Sequence, residues 1–344
     1  MVVRAILAEA VRRGASDIHI TSGEGARFRV QGEIQPPLEM IVTTADIMGL
    51  LEESSGDEAP RCFDARREFD GALEIPEVGR FRVHAFHHLC GIALVARVVP
   101  SIIPSMTSLG LPPVVRNICD LRRGLVLICG ATGSGKSTTM ASIIDRMNRE
   151  RALHIVTLEE PIEFIHRPLH SCVHQREIGV HTRSCAEALR AVLREDPNVI
   201  AIGEMRDAET IHLALTAAET GHLVLATIHS NSACKATDRI IDAFPAGQQP
   251  QVRAMIAESL EMVVSQTLCR GVDGRRVAAF EVLVGTPAAR TLIREGKTHQ
   301  LPGLMQSSRA IGMQTFDSQV NELIVAGVLD PSVAAPKVGA MNRL

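Results

Sequence analysis

Eight consecutive residues, Gly130-Ala131-Thr132-Gly133-Ser134-Gly135-Lys136-Ser137, constrain this chain more than any other stretch. They fill every fixed position of G-x-x-x-x-G-K-[ST]. An apolar run, Leu125–Cys129, precedes them, and a helical stripe of Met140, Ile143, Ile144 and Met147 follows. A chance glycine-rich turn would not have both flanks. Glycines let successive backbone N–H groups turn inward on an anion, and the helix start adds the positive end of its dipole. Lys136 would then neutralise β- and γ-phosphate charge, and Ser137 would offer its hydroxyl to Mg²⁺. The expected nucleotide-binding residues are Gly130, Ala131, Thr132, Gly133, Ser134, Gly135, Lys136, Ser137 and Thr138, with ATP and Mg²⁺ as the ligands.

A strand, loop and helix of this kind predict an α/β sheet. Short apolar runs at Leu125–Cys129, His154–Leu158, Val199–Ile202 and Leu223–Ile228 alternate with helical stripes. One stripe is Cys185, Ala188, Leu189 and Val192, stopped by Asp196-Pro197; another is Ile211, Ala214, Leu215 and Ala218, closed by Gly221. Buried strands between helices read as a mainly parallel sheet covered on both faces. Upstream the texture differs. Val3, Ile6, Leu7, Ala10 and Val11 share a helical face that Gly14 ends, and a second helix is expected near 43–54. Short alternating segments at Asp17–Ile20, Arg27–Val30, Arg80–Phe86 and Ile92–Val99 predict a small α+β domain. The expected boundaries are 1–99 for that domain, 100–113 for a proline-studded linker, 114–285 for the α/β domain and 286–344 for a helical region.

Acids cluster where strands should end. His154–Leu158 runs into Glu159-Glu160-Pro161-Ile162-Glu163, and three carboxylates there would repel one another unless a cation sits nearby. Val199–Ile202 leads to Gly203-Glu204, then Arg206 and a candidate helix cap, Asp207. In doubly wound sheets the carboxyl ends of strands line the ligand crevice. One acid is therefore expected to orient or deprotonate water and another to face the metal. His222 and His229 bracket the Leu223–Ile228 strand and are candidate reporters of phosphate state.

Charge and cysteine usage narrow the class further. Lys and Arg number 36 against 39 Asp and Glu, a formal charge of -3, which argues against nucleic acid as the partner. The absence of Trp and Tyr removes an aromatic stacking platform. Eight cysteines occur without any C-x-x-C, so a zinc ribbon is not expected and reduced, buried thiols are. No apolar run approaches the roughly 20 residues that cross a bilayer, and the first residues show no signal-peptide pattern, so a cytoplasmic location is expected.

The motifs together resemble those of the type II/type IV secretion ATPases, and within them the branch that retracts type IV pili. Gly130–Ser137, Glu159–Glu163, Arg194-Glu-Asp-Pro197, Ile202–Asp207 and Ala217–His222 follow one another as that superfamily's boxes do. Ser16-Asp-Ile-His19, Asp238-Arg-Ile-Ile-Asp242, Gln266-Thr-Leu268 and Thr286–Glu295 are similar to the retraction branch in particular. Departures from its pattern fall at Phe280, Ala289 and Thr291. The resemblance implies a RecA-like ATPase domain preceded by a PAS-like domain, in a homohexamer that works against an inner-membrane platform protein and sits at that membrane. It implies Glu163 as general base, Glu204 on the Mg²⁺ side, and Arg82 and Arg97 as γ-phosphate contacts. An accessory retraction ATPase or a pilus-assembly or secretion ATPase is the alternative within the superfamily. A non-hydrolysing nucleotide sensor is the alternative outside it.

Overall fold

A computed structural model describes residues 2–30, 32–55, 63, 67–99 and 102–331. Pro100 and Ser101 of the expected linker, Cys62, and residues 332–344 of the expected helical region lie outside the described residues. The chain divides into two compact units, Met1–Ile102 and Ile103–Leu344.

In the first unit, helix α1 (Val2–Arg12) buries Val3, Ile6, Leu7 and Ala10. Val11, expected on the same face, is exposed. The left-handed Gly14 (φ +66°) ends the helix and turns the chain into strand β1 (Ala15–Thr21). Strands β2 (Arg27–Val30), β3 (Glu33–Ile34), β4 (Glu68–Ile75), β5 (Gly79–His88) and β6 (Gly91–Val99) complete an antiparallel sheet of order β3-β2-β1-β6-β5-β4. Helix α2 (Thr44–Ser55) starts with a reciprocal cap, in which Asp46 accepts from Thr43 N–H and Thr43 Oγ1 accepts from Asp46 N–H. Ile18, Phe28, Phe81 and Leu94 fill the core between sheet and helices.

The second unit is the expected α/β layer. Strands β7 (Gly124–Cys129), β8 (His154–Glu159), β9 (Cys172–Glu177), β10 (Val199–Ile202), β11 (Leu223–Ile228), β12 (Leu260–Arg270) and β13 (Arg276–Val284) form one sheet in the order β13-β12-β7-β11-β10-β8-β9. Every neighbouring pair is parallel except β12 with β13. One face carries helix α3 (Lys136–Glu150) and the 3₁₀ turn Pro113–Asp120. The other carries α4 (Cys185–Val192), α5 (Ala208–Glu219), α6 (Ala233–Ile241) and α7 (Gln249–Ser259). After residue 286 come α8 (Pro287–Arg294), α9 (Leu301–Ser307) and α10 (Phe316–Val325). Ala289, Ile293, Leu301 and Met305 join the same core as the sheet.

Thiols only partly match the expectation. Cys119, Cys129, Cys234 and Cys269 are buried and Cys185 half-buried, but Cys90 and Cys172 are exposed. Burial pushes the Cys119 and Cys185 thiols up to about 11 and those of Cys129 and Cys234 to about 12.

Candidate nucleotide site

Register brings the predicted pieces to one edge of the sheet. Cys129 lies beside Ile228, and Ile202 lies beside both Leu158 and Ala226. The loop after β7, the acids after β8, Glu204 after β10 and His229 after β11 therefore emerge together.

Two glycines are required by the loop itself. A Cβ on Gly130 (φ +153°) would lie 2.4 Å from the Gln266 carbonyl oxygen and 2.4 Å from Ser134 Oγ. Gly135 (φ +91°) sits directly before α3, whose first turn has no side-chain cap. Its leading N–H groups thus point at whatever occupies the loop. Lys136 Nζ donates to the carbonyls of Gly130 (2.9 Å) and Ala131 (3.0 Å), reaching back across the hollow. Burial lowers its pKa, against the opposing attraction first of Glu204 and then of Cys129 and Glu163. Ser134 is buried beneath the loop, so it offers a ligand its backbone rather than its hydroxyl. Gln266, on β12, donates from Nε2 to the Ser134 carbonyl at 2.7 Å and braces the loop from below.

The cation that the acids demand is Arg206. It donates to Glu160 Oε2 at 2.9 Å and to Glu204 Oε2 at 2.9 Å, bridging two strand tips. The second Glu204 oxygen lies 2.8 Å from His229 Nε2. Glu159 points inward, accepting from Thr157 Oγ1 (2.6 Å) and Gln175 Nε2 (3.1 Å), and burial raises its pKa. Glu163 faces solvent between two buried neighbours, Ile162 and Phe164. That segment is pinned from β9: Glu177 accepts from Ile162 N–H at 3.1 Å, and Gln175 donates to the Phe164 carbonyl at 2.7 Å. The anchors on both sides hold Glu163 outward.

His222 does not join this group. It precedes the first residue of β11, and its carbonyl accepts from Gly124 N–H at the start of β7. Its ring is held 3.1 Å from the Ala217 carbonyl. At ~3.3 Å per residue, β11 separates it from His229 by roughly 20 Å. Adjacency along a strand had suggested a pair, but strand length puts the two at opposite ends of the sheet. Of the two histidines, His229 is the one at the loop edge of the sheet, 2.8 Å from Glu204. Arg82 and Arg97 are cross-strand neighbours on β5 and β6 of the first unit, outside the loop that the second unit builds. Arg97 Nε donates to Asp17 Oδ1 at 2.8 Å. Asp17 is lowered by Arg97 and Ser16, although burial, the largest single influence, works the other way.

The donor set suits a small hard cation. The Ser137 hydroxyl and the Glu204 carboxylate are oxygen ligands of the kind Mg²⁺ prefers, and the His229 imidazole contacts Glu204. Both Glu204 oxygens already carry cationic or N–H partners, so its contact with an ion would run through water or follow release of Arg206. Gln266, Arg206 and Gln175 are the working residues that motif reading left without a role. Only the demand for a counter-charge pointed toward one of them.

The family model described as "Type II/IV secretion system protein" matches residues 1–316. The chain is 44% identical over 341 residues, 98% of each sequence, to a type IV pilus retraction ATPase, PilT, of Pseudomonas aeruginosa. It is 44% identical over 326 residues to a twitching motility protein of Neisseria gonorrhoeae, covering 93% of this chain and 87% of that one. Among solved structures, the pilus retraction motor PilT with bound ADP superposes with a TM-score of 0.89 at 41% identity, over 96% of this chain and 95% of the other.

Proposed function

The chain belongs to the type II/IV secretion system protein family, and on that premise we propose that it is the ATPase motor of type IV pilus retraction, acting as a ring of six subunits. The reading rests on one observation: the likeness to the P. aeruginosa retraction ATPase runs over nearly the whole of both chains. Its chemistry is ATP hydrolysis at the loop Gly130–Ser137.

The geometry suggests how the residues divide the work. Lys136, now tied to the Gly130 and Ala131 carbonyls, exchanges them for phosphate oxygens when ATP enters. The free N–H groups at the start of α3 and the backbone of Ala131 to Ser134 hold the same phosphates. Thr138, in the first turn, completes the nucleotide contacts. Mg²⁺, held by Ser137 and by Glu204, would neutralise charge on the phosphates. Glu163, displayed on a pinned segment, takes the proton of the attacking water. Arg206 keeps Glu160 and Glu204 from repelling each other, and His229 reads the state of Glu204 through their contact. Arg82 and Arg97 suit γ-phosphate because a guanidinium stays charged and grips two oxygens at once. Closure of the first unit on nucleotide, with residues 100–113 as hinge, is the proposed power stroke. The proposed location is the cytoplasmic face of the inner membrane, against a platform protein. No described helix is long and apolar enough to cross a membrane.

Purified protein and two variants test the site. Lys136→Ala is expected to lose nucleotide binding, whereas Glu163→Ala should keep it and lose turnover by about 10²-fold or more. Equal phosphate release by wild type and Glu163→Ala would refute the assignment. Deleting the gene should leave piliated cells that do not twitch. Loss of pili would point instead to assembly.

A further inference from the structure

At the opposite edge of the second sheet from the phosphate loop, three soft ligands meet. His154 opens β8 and Cys172 opens β9, and the register places them side by side, with His174 opposite Val156. Period-two alternation puts Cys172 and His174 on one face of the edge strand. His154 Nε2 lies 3.0 Å from His174 Nδ1, and Cys172 Sγ lies 3.6 Å from His174 Nε2. One ligand atom from each residue falls within 4.8 Å of the others.

The two distances end on different nitrogens of His174, so an ion would use one of them and draw in a ligand set that already lies within 4.8 Å. Zinc bonds of about 2.05 Å to nitrogen and about 2.3 Å to sulfur, at tetrahedral angles, set nitrogens about 3.4 Å apart and nitrogen from sulfur about 3.6 Å. A second observation concerns the histidine tautomer. His154 Nδ1 faces the Asp196 carbonyl at 3.2 Å. Donation there leaves the Nε2 lone pair directed at the cluster, the outer-sphere arrangement that metal-bound histidines use. The backbone beneath is fixed as well: His154 N–H donates to Asn198 Oδ1 and its carbonyl accepts from Asn198 N–H, both at 2.8 Å. Cys172 and His174 are exposed, so an ion has a path in.

We propose that His154, Cys172 and His174 form a site for a thiophilic divalent cation, Zn²⁺ foremost, with water completing the coordination. Only one nitrogen of His174 can face the ion, so binding replaces the present His154–His174 contact with two metal bonds. The Cys172 thiol gives up its proton to solvent as the thiolate bond forms. Binding would staple the edge strand β9 to β8. The same strand, three and five residues beyond Cys172, supplies Gln175 and Glu177, which pin the segment carrying Glu163. This differs from a zinc ribbon, whose paired cysteines the sequence lacks. Here the third ligand comes from a neighbouring strand.

Untagged full-length protein, freed of metal with a chelator, would be titrated with Zn²⁺ and separately with Co²⁺. We expect one equivalent of Zn²⁺ to bind and to raise the melting temperature. The cobalt form should show a thiolate-to-metal charge-transfer band and the ligand-field bands of a four-coordinate ion. Cys172→Ser and His174→Asn should each weaken Zn²⁺ binding by more than about tenfold, the lower end of the range for losing even an outer partner. Cys90→Ser, the control at the other exposed thiol, should change nothing. Failure of wild type to bind, a cobalt spectrum without the thiolate band, wild-type affinity in either ligand variant, or loss of binding in Cys90→Ser would each overturn the site.

Discussion

Replacing Gln266 with leucine should weaken nucleotide binding, because the Gln266 side chain braces the phosphate loop. The residue is 2% exposed and gives its Nε2 proton to the Ser134 carbonyl at 2.7 Å. Leucine fills similar space without a donor. Leaving a buried carbonyl unpaired costs about 1–3 kcal/mol. If the loop alone absorbs about 2 kcal/mol, its binding-ready population falls and the apparent Kd for ADP rises about 30-fold. If instead the cost falls on the whole second unit, Tm drops by about 4–8 °C with affinity nearly intact. Calorimetric titration with ADP and thermal unfolding, run on the same preparations, read both ends of that partition. An affinity within about twofold of wild type together with a Tm within about 1 °C would refute the idea that β12 braces the loop.

Glu281 offers a pH-dependent test. Burial raises its carboxyl pKa above the ordinary value, despite donation from Ala233 N–H and the Ser232 side chain. A raised native pKa means that the folded state holds the proton more tightly, so its stabilising contribution is full below the unfolded value and fades as pH climbs through the native one. Glu281→Gln should flatten that decline in urea midpoints measured across this window; an unchanged slope would reject it. Ala289 is fully buried in the core that α8 shares with the sheet. Introducing a larger side chain with Ala289→Leu should overpack it, costing about 1–3 kcal/mol, which thermal unfolding would report.

Burial decided what could be read from residues alone. All residues of β7, β10 and β11 are buried, so each announced itself as an apolar run. Strand β9, by contrast, lies at the sheet edge, and its Cys-Val-His-Gln-Arg-Glu looks like a loop. Strand β4 hid for the same reason, with Glu68, Asp70 and Glu74 facing out between Phe69, Leu73 and Ile75. In β12 the run Ser265-Gln266-Thr267 broke the pattern because Gln266 is committed to the phosphate loop rather than to the core. The acids near Glu160 implied a counter-charge, but only the parallel register of β8 with β10 brings Arg206 to it. Reading His222 and His229 as a pair overlooked that residues bracketing one strand sit at its two ends, separated by about 3.3 Å per residue, so of the two His229 is the one that reaches Glu204.

The distribution of reactive sulfur has a practical use. Among the described residues, Cys90 is the exposed thiol of the first unit and Cys172 that of the second, while four others are held unreactive near neutral pH by burial. With Cys62 replaced by serine, donor and acceptor dyes added together would distribute over those two sulfurs without any cysteine being introduced. The chain thus carries its own attachment points for a spectroscopic ruler that spans the proposed hinge. Energy transfer that cycles in step with phosphate release would show the two units moving against each other, and a constant signal through turnover would place the mechanical work elsewhere.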